Sequence, residues 1–276
     1  MELTGFDVRA FLAEDIGDGD LTSESVVPAD ARLKASLLLK ERGVVCALEV
    51  AESVFRQLDS SVVFERFVND GDETQGEVAR ISGNARALLS GERTALNLVG
   101  RLCGIATLTR AYVDAIAGTG ATILDTRKTT PGLRALEKLA VRAGGGTNHR
   151  FGLYDGILVK DNHLRLAGGV MEAVRRAQAQ GVPVEVECET LEDVREALEA
   201  RADILLLDNM SVSQLCEAVL LAGGRAKTEA SGGVTLEAVR AIAATGVDSI
   251  SVGALTHSAR ALDVSMEVQW RPRRSR

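Results

Sequence analysis

The chain has 276 residues, 46% of them hydrophobic and 26% charged, with a formal net charge of −7 at pH 7. That length and apolar content suffice for one large domain or two modest ones around a substantial core. The acidic balance argues against a general nucleic-acid binder, which needs a basic face to follow a phosphate backbone. In chain order, alternating residues over 32–39 and 76–81 predict antiparallel strands, with a helix over 47–58 between them. A longer helix opens at Gly91-Glu92-Arg93-Thr94 and runs through Leu96, Val99, Leu102 and Ile105, whose helical spacing marks a buried stripe. The pattern changes between 104 and 118, so an N-terminal α+β domain is expected over 1–110 and a second domain over 111–276, with the C-terminal tail free to pack back on the first. After Gly118-Thr119-Gly120, strands read at 121–125, 156–160, 183–188, 203–207, 226–230 and 248–252. Helices fit between them at 132–143, 168–180, 190–200, 211–222 and 234–246. This βα alternation predicts an α/β fold whose C-terminal part is a TIM-like barrel, complete or open on one side.

Such folds bind ligands at the C-terminal ends of their strands, so the polar residues that follow each apolar run are expected to converge on one pocket. Arg127 and Lys128 follow the run 121–125, and adjacent cations on a strand-end loop repel unless an anion lies between them; a solvated turn is the plain alternative. Gly144-Gly145-Gly146-Thr147-Asn148-His149-Arg150 reads as a ligand loop more than a linker: its amides can approach an anion, and Arg150 can grip a carboxylate with two prongs. Lys160 ends a buried run and must find an anion, lose its proton, form an imine or enter a structural ion pair. Glu185, Glu187 and Glu189 alternate with Val184, Val186 and Cys188, so a strand would place all three carboxylates on one face. Glu187 with Asp208 on the neighbouring strand could hold ribose hydroxyls and a hard cation such as Mg²⁺, or Glu187 and Asp208 could pair with Lys160 without a metal. Ser231-Gly232-Gly233 and Gly253-Ala254 lie between strand and helix, where backbone amides bind phosphate, although tight turns look the same in sequence.

No Walker loop and no G-x-G-x-x-G follows a strand, which disfavours P-loop and dinucleotide readings. His149, His163 and His257 form no HxH or HExxH pattern, so a histidine zinc site is not expected; hydrogen bonding to a carboxylate or phosphate suits His149 and His257. Cys46, Cys103, Cys188 and Cys216 are far apart and form no CxxC pair, so they read as reduced, mostly buried thiols. The opening residues show no charged-then-apolar signal pattern and no run of about eighteen apolar residues could span a membrane, so the protein is expected in the cytoplasm. The basic tail Arg271–Arg276 reads as a solvated end or as an anion or subunit contact.

The strings Asp125-Thr126-Arg127-Lys128-Thr129-Thr130-Pro131-Gly132-Leu133-Arg134, Gly144–Arg150 and Val159-Lys160-Asp161-Asn162-His163 closely resemble quinolinate phosphoribosyltransferase. So do Glu14–Thr22, Gly91–Asn97, Leu207-Asp208-Asn209, Glu229-Ala230-Ser231-Gly232-Gly233 and Ser251–Ser258, and the likeness runs nearly end to end. The resemblance implies transfer of phosphoribosyl from 5-phosphoribosyl pyrophosphate (PRPP) to quinolinate with decarboxylation, giving nicotinate mononucleotide, pyrophosphate and CO₂ in NAD synthesis. It implies that Arg127, His149, Arg150 and Lys160 bind quinolinate carboxylates. Lys128, Ser231, Gly232, Gly253 and His257 would contact the phosphoribosyl side, Glu187 and Asp208 its ribose hydroxyls and Mg²⁺, and Thr126, Gly233 and Ala254 would also bind substrate. Lys128, Lys160, Glu187 and Asp208 are the residues expected nearest the chemistry. Arg93 is similar to a substrate ligand donated by a neighbouring subunit, which implies a homodimer or a higher oligomer. Two alternatives stay beside this reading. One is a non-catalytic relative of the same fold, such as the paralogue encoded with molybdate transporters; the other is an aldolase that forms a Schiff base on Lys160.

Overall fold

The computed structural model describes residues 6–269. In chain order they form α1 (Arg9–Ile16), α2 (Leu21–Val26), β1 (Arg32–Val44), α3 (Leu48–Leu58), β2 (Val63–Arg66), β3 (Glu73–Asn84) and α4 (Ala85–Ala115). There follow β4 (Thr122–Leu124), α5 (Arg134–Ala143), β5 (Ile157–Val159), α6 (Asp161–Ala167), α7 (Val170–Gln178), β6 (Val184–Cys188) and α8 (Leu191–Glu199). The last elements are β7 (Ile204–Asp208), α9 (Val212–Ala222), β8 (Lys227–Ser231), α10 (Val239–Ala243), β9 (Ser249–Ser251), α11 (Ala254–His257) and β10 (Val264–Val268). Among the described residues no helix is long and apolar enough to cross a membrane.

The chain divides into two compact units, one of residues up to Thr107 and from Ala259 onward, the other Leu108–Ser258. The division falls within α4, and residues 259–269 join the first unit, where β10 pairs antiparallel with β1. The tail Arg271–Arg276 lies outside the described residues. The first unit holds an antiparallel sheet of order β10-β1-β3-β2. Its inward side chains include Ala35, Leu37, Leu39 and Ile81, all at most 2% exposed. α3 adds Val50, Ala51, Val54 and Phe55 to the same core. Burying each large apolar side chain contributes about 1.5–3 kcal/mol.

α4 begins at Ala85 rather than at Gly91, because Asn84 Oδ1 accepts the Ala87 N–H at 3.2 Å and caps the first turn. Its glycines admit the returning C-terminal segment: a Cβ on Gly104 would stand 1.9 Å from the Arg260 carbonyl oxygen. Gly104→Ala is therefore expected to destabilise the protein by about 1–3 kcal/mol through overpacking, read as a fall in the thermal unfolding midpoint. Cys46 and Cys103 are buried in this unit and Cys188 in the other, while Cys216 is exposed. Burial pushes the Cys103 and Cys188 thiols up to about 12, so both stay protonated.

The second unit is a parallel sheet of order β4-β9-β8-β7-β6-β5. Thr147 bridges Leu124 in parallel and extends the β4 edge by one short segment. β4 and β6 lie four strand spacings apart, roughly 19 Å in a flat sheet. Yet His149, two residues past that bridge, touches Glu185 of β6 at 3.1 Å, so the sheet is curled into a barrel. Among the described residues no strand pair joins β5 to the β4 edge, and the barrel is open there. The βα alternation follows the sequence reading, apart from an added short α11 after β9 and two further differences. A short α6 intervenes before α7, and the helix expected over 234–246 is confined to Val239–Ala243.

Candidate active site

At the C-terminal ends of the strands of the second unit lies a cavity of about 780 Å³. The loop after β4 brings Thr126, Arg127 and Lys128 to its wall. This loop is fastened on both sides. The Lys128 N–H donates to Thr126 Oγ1 at 3.0 Å, Thr256 Oγ1 donates to the Lys128 carbonyl at 2.8 Å, and Thr130 is held by the buried Glu137 carboxylate. Arg134 then ties this loop to the next, donating to Thr129 Oγ1 and to the Phe151 carbonyl.

His149 and Arg150 reach the cavity from the loop after α5. Their backbone is set by a buried ion pair, Lys138 with Asp125, both side chains 0% exposed. Lys138 Nζ also donates to the His149 carbonyl at 3.0 Å and sits 5.1 Å from the centre of the Phe151 ring. Asp125 in turn accepts from the His149 N–H at 2.9 Å and from Asn148 Nδ2 at 2.5 Å. Arg150 donates to the Gly156 carbonyl at 2.9 Å. Burial and the nearby Arg127 guanidinium both disfavour its charge and hold its pKa below the ordinary arginine value, although Glu185 and Asp155 oppose them. Two guanidiniums that repel in one cavity make a strong electrostatic trap for an anion.

Lys160 stands at the end of β5 and donates to Glu187 Oε2 at 2.6 Å. Of the outcomes open for Lys160 in the sequence, the structure therefore contains the ion pair with Glu187. Asp208, at the end of β7, accepts from Asn209 Nδ2 at 2.7 Å. Asn209 adopts a left-handed conformation, φ 55°, and its backbone N–H donates to the Ser231 carbonyl at 2.9 Å. That close approach explains Gly232: a Cβ there would lie 2.2 Å from Asn209 Oδ1, and its φ of 93° suits glycine alone. Ser231, Gly232 and Gly233 line the cavity after β8, as do Gly253, Ala254 and His257 after β9. The phosphate amides expected at a helix start are corrected at the first of these turns, because α10 begins only at Val239.

Of the three carboxylates expected on one face of β6, Glu185 and Glu187 point inward, while Glu189 lies beyond the strand and is exposed. Glu185 and Glu229 both approach His149 Nε2, at 3.1 and 3.5 Å. Burial and the Glu185 charge push the Glu229 acid up to about 7, against the opposing pull of His149 and two serine hydroxyls. His163 does not share this role: its Nδ1 accepts the Lys160 N–H at 3.0 Å and caps α6. His257 Nδ1 lies 2.7 Å from Ser258 Oγ, with its ring on the cavity wall.

The sequence matches the family model described as quinolinate phosphoribosyl transferase, C-terminal domain, over residues 105–267, and the corresponding N-terminal domain over 20–103. The chain belongs to the quinolinate phosphoribosyltransferase family. A probable nicotinate-nucleotide pyrophosphorylase [carboxylating] of Bacillus subtilis is 49% identical over 263 residues, covering 94% of this chain and 91% of that protein. A quinolinate phosphoribosyltransferase [decarboxylating] of Nicotiana tabacum is 43% identical, covering 95% and 81%. Among solved structures, NadC from Streptococcus pyogenes superposes with a TM-score of 0.92 at 41% identity over 97% of this chain and 98% of that one. The nicotinate-nucleotide pyrophosphorylase from Francisella tularensis gives 0.91 at 41%, covering 95% and 94%.

In this quinolinate phosphoribosyltransferase every site residue expected from the sequence lines the one cavity except Arg93. Arg93 is exposed on the part of α4 that belongs to the first unit. Sequence reasoning did not assign Lys138, Glu229 or Ser251. Glu229 and Ser251 were legible in principle, since strand alternation puts Glu229 on the same face as Ser231. Lys138 carried no such signal.

Proposed function

We propose that this quinolinate phosphoribosyltransferase moves phosphoribosyl from PRPP to the ring nitrogen of quinolinate, releasing pyrophosphate and CO₂ and leaving nicotinate mononucleotide for NAD synthesis. Beyond family membership, the observation that carries this reading is the convergence of Arg127, Lys128, Arg150, Lys160 and His257 on one cavity of an otherwise acidic chain. A dicarboxylate and a triply phosphorylated sugar both need such a wall. The Arg127 and Arg150 pair, with Lys160, suits the quinolinate carboxylates, and Lys128 with Ser231–Gly233, Gly253, Ala254 and His257 suits the phosphoribosyl side. Positioning and charge neutralisation do most of the work, because the nitrogen attacks an electron-poor C1 and no covalent enzyme intermediate is required.

Glu187, one residue before the end of β6, and Asp208, the last residue of the paired β7, both line the cavity, a donor set that fits a hard divalent cation shared with substrate phosphates. We assign Mg²⁺ to them; when bound it offsets charge on the leaving pyrophosphate. Lys160, now paired with Glu187, would then be free to turn toward a substrate carboxylate. Arg93 is assigned across the interface of a homodimer, supported by its exposure on the first unit's part of α4. A reducing cytoplasm suits the buried thiols.

The test is product analysis by mass spectrometry with quinolinate, PRPP and Mg²⁺, and with nicotinate in parallel. Nicotinate mononucleotide should form from quinolinate and not from nicotinate; binding of quinolinate without turnover would sink the reading.

A further inference from the structure

On the decarboxylating reading above, the step after phosphoribosyl transfer breaks the bond between ring C2 and its carboxylate. CO₂ leaves, the electron pair stays on C2 beside the cationic ring nitrogen, and a proton must arrive there. The cations that grip the substrate are poor sources, because each is occupied in holding negative charge.

The floor of the cavity holds an acid that substrate binding does not use. Glu229 is 3% exposed yet lines the cavity, and one ligand atom from each of Glu229, Glu185 and His149 lies within 4.8 Å of the other two. The backbone N–H of Arg150 donates to His149 Nδ1 at 2.7 Å, so the ring's proton sits on Nε2. That single N–H is nearer to Glu185 (3.1 Å) than to Glu229 (3.5 Å). Ser249 and Ser251 offer hydroxyls to Glu229 from β9, Leu206 lies alongside on β7, and Arg127, Lys128, Arg150, Lys160, Glu187 and Asp208 line the same cavity. Two buried carboxylates at this separation, with one imidazole proton between them, cannot both be charged at low cost, so one retains a proton of its own. Glu229, with the weaker claim on the imidazole, is that one.

We infer that Glu229 is the general acid of the decarboxylation step, delivering its carboxyl proton to C2 of the nucleotide as CO₂ departs. The C2–H bond forms, Glu229 is left as a carboxylate beside His149, and solvent restores its proton before the next turnover. The raised pKa of about 7 agrees with this role, since such an acid is protonated at neutral pH and still able to give its proton up.

The experiment compares wild-type enzyme with Glu229→Gln, which keeps shape and hydrogen bonding but cannot supply the proton, and Glu229→Asp, which keeps the acid. Steady-state kinetics are measured from pH 5.5 to 9, and single turnovers are quenched for mass spectrometry. Glu229→Gln should lower kcat by about a hundredfold with KM for quinolinate little changed. It should also accumulate the nucleotide that still carries both carboxylates. Wild-type kcat should fall on the alkaline side, with that limb absent from Glu229→Gln and partly restored in Glu229→Asp. A kcat near wild type in Glu229→Gln overturns the assignment. So does a loss of kcat with the alkaline limb intact and no dicarboxylated nucleotide. Failure of the wild-type enzyme to form product overturns instead the phosphoribosyl-transfer reading beneath it.

Discussion

Lys138→Met is expected to lower the stability of this protein by about 3–5 kcal/mol. Lys138 and Asp125 are both 0% exposed, so their charges have no water to fall back on. Burial alone pushes the Asp125 acid up and the Lys138 amine down, each toward its neutral form, and their mutual contact opposes both shifts. Methionine fills the volume of the lysine stem but leaves the Asp125 carboxylate, among the described residues, with Asn148 and the His149 N–H as donors and no cation. It also strips the His149 carbonyl of its donor. Chemical denaturation measures the loss directly. The double variant Asp125→Asn with Lys138→Met should lose clearly less than the two single losses added, because removing both charges avoids the stranded one. Strict additivity would show that the pair does not couple.

That ion pair also marks where sequence reading stopped. The barrel strands were legible because a parallel strand covered on both faces is a short apolar run, and Ile204-Leu205-Leu206-Leu207 has no other reading. The site was legible because cations and carboxylates follow those runs, and strand ends converge in this architecture. Lys138 was not, since helical periodicity assigns one apolar face to α5, whereas Leu136, Glu137 and Lys138 are all buried in succession. Their burial is imposed by the loops they fasten, which no local pattern encodes. β10 failed for a related reason: five residues of modest hydrophobicity take their strand identity from β1, more than 200 positions away, with Leu37 opposite Met266. α10 was overestimated because apolar spacing runs across 234–246 while the chain is still in turns at 236–238. Glu229 carries no signal of its role in sequence, because a lone glutamate in a strand says nothing about which charges will face it.

Arg127→Ala and Lys160→Ala should each weaken quinolinate binding by about 2–5 kcal/mol while leaving the fold intact, since both side chains are exposed in the free protein. The two losses have different origins, which makes their order informative. Arg127 repels Arg150, so its removal relieves the free enzyme as well as weakening the complex. Lys160 instead neutralises Glu187 at 2.6 Å, and its removal leaves that carboxylate uncompensated in a cavity that must accept a dianion. Lys160→Ala should therefore show the larger loss of affinity, and raising Mg²⁺ should recover part of it by supplying Glu187 with another cation. Titration calorimetry with quinolinate, run at two Mg²⁺ concentrations, separates the cases. Unchanged affinity in both variants would remove Arg127 and Lys160 from the quinolinate site. A larger loss in Arg127→Ala that is insensitive to Mg²⁺ would place the Lys160–Glu187 pair outside the binding step.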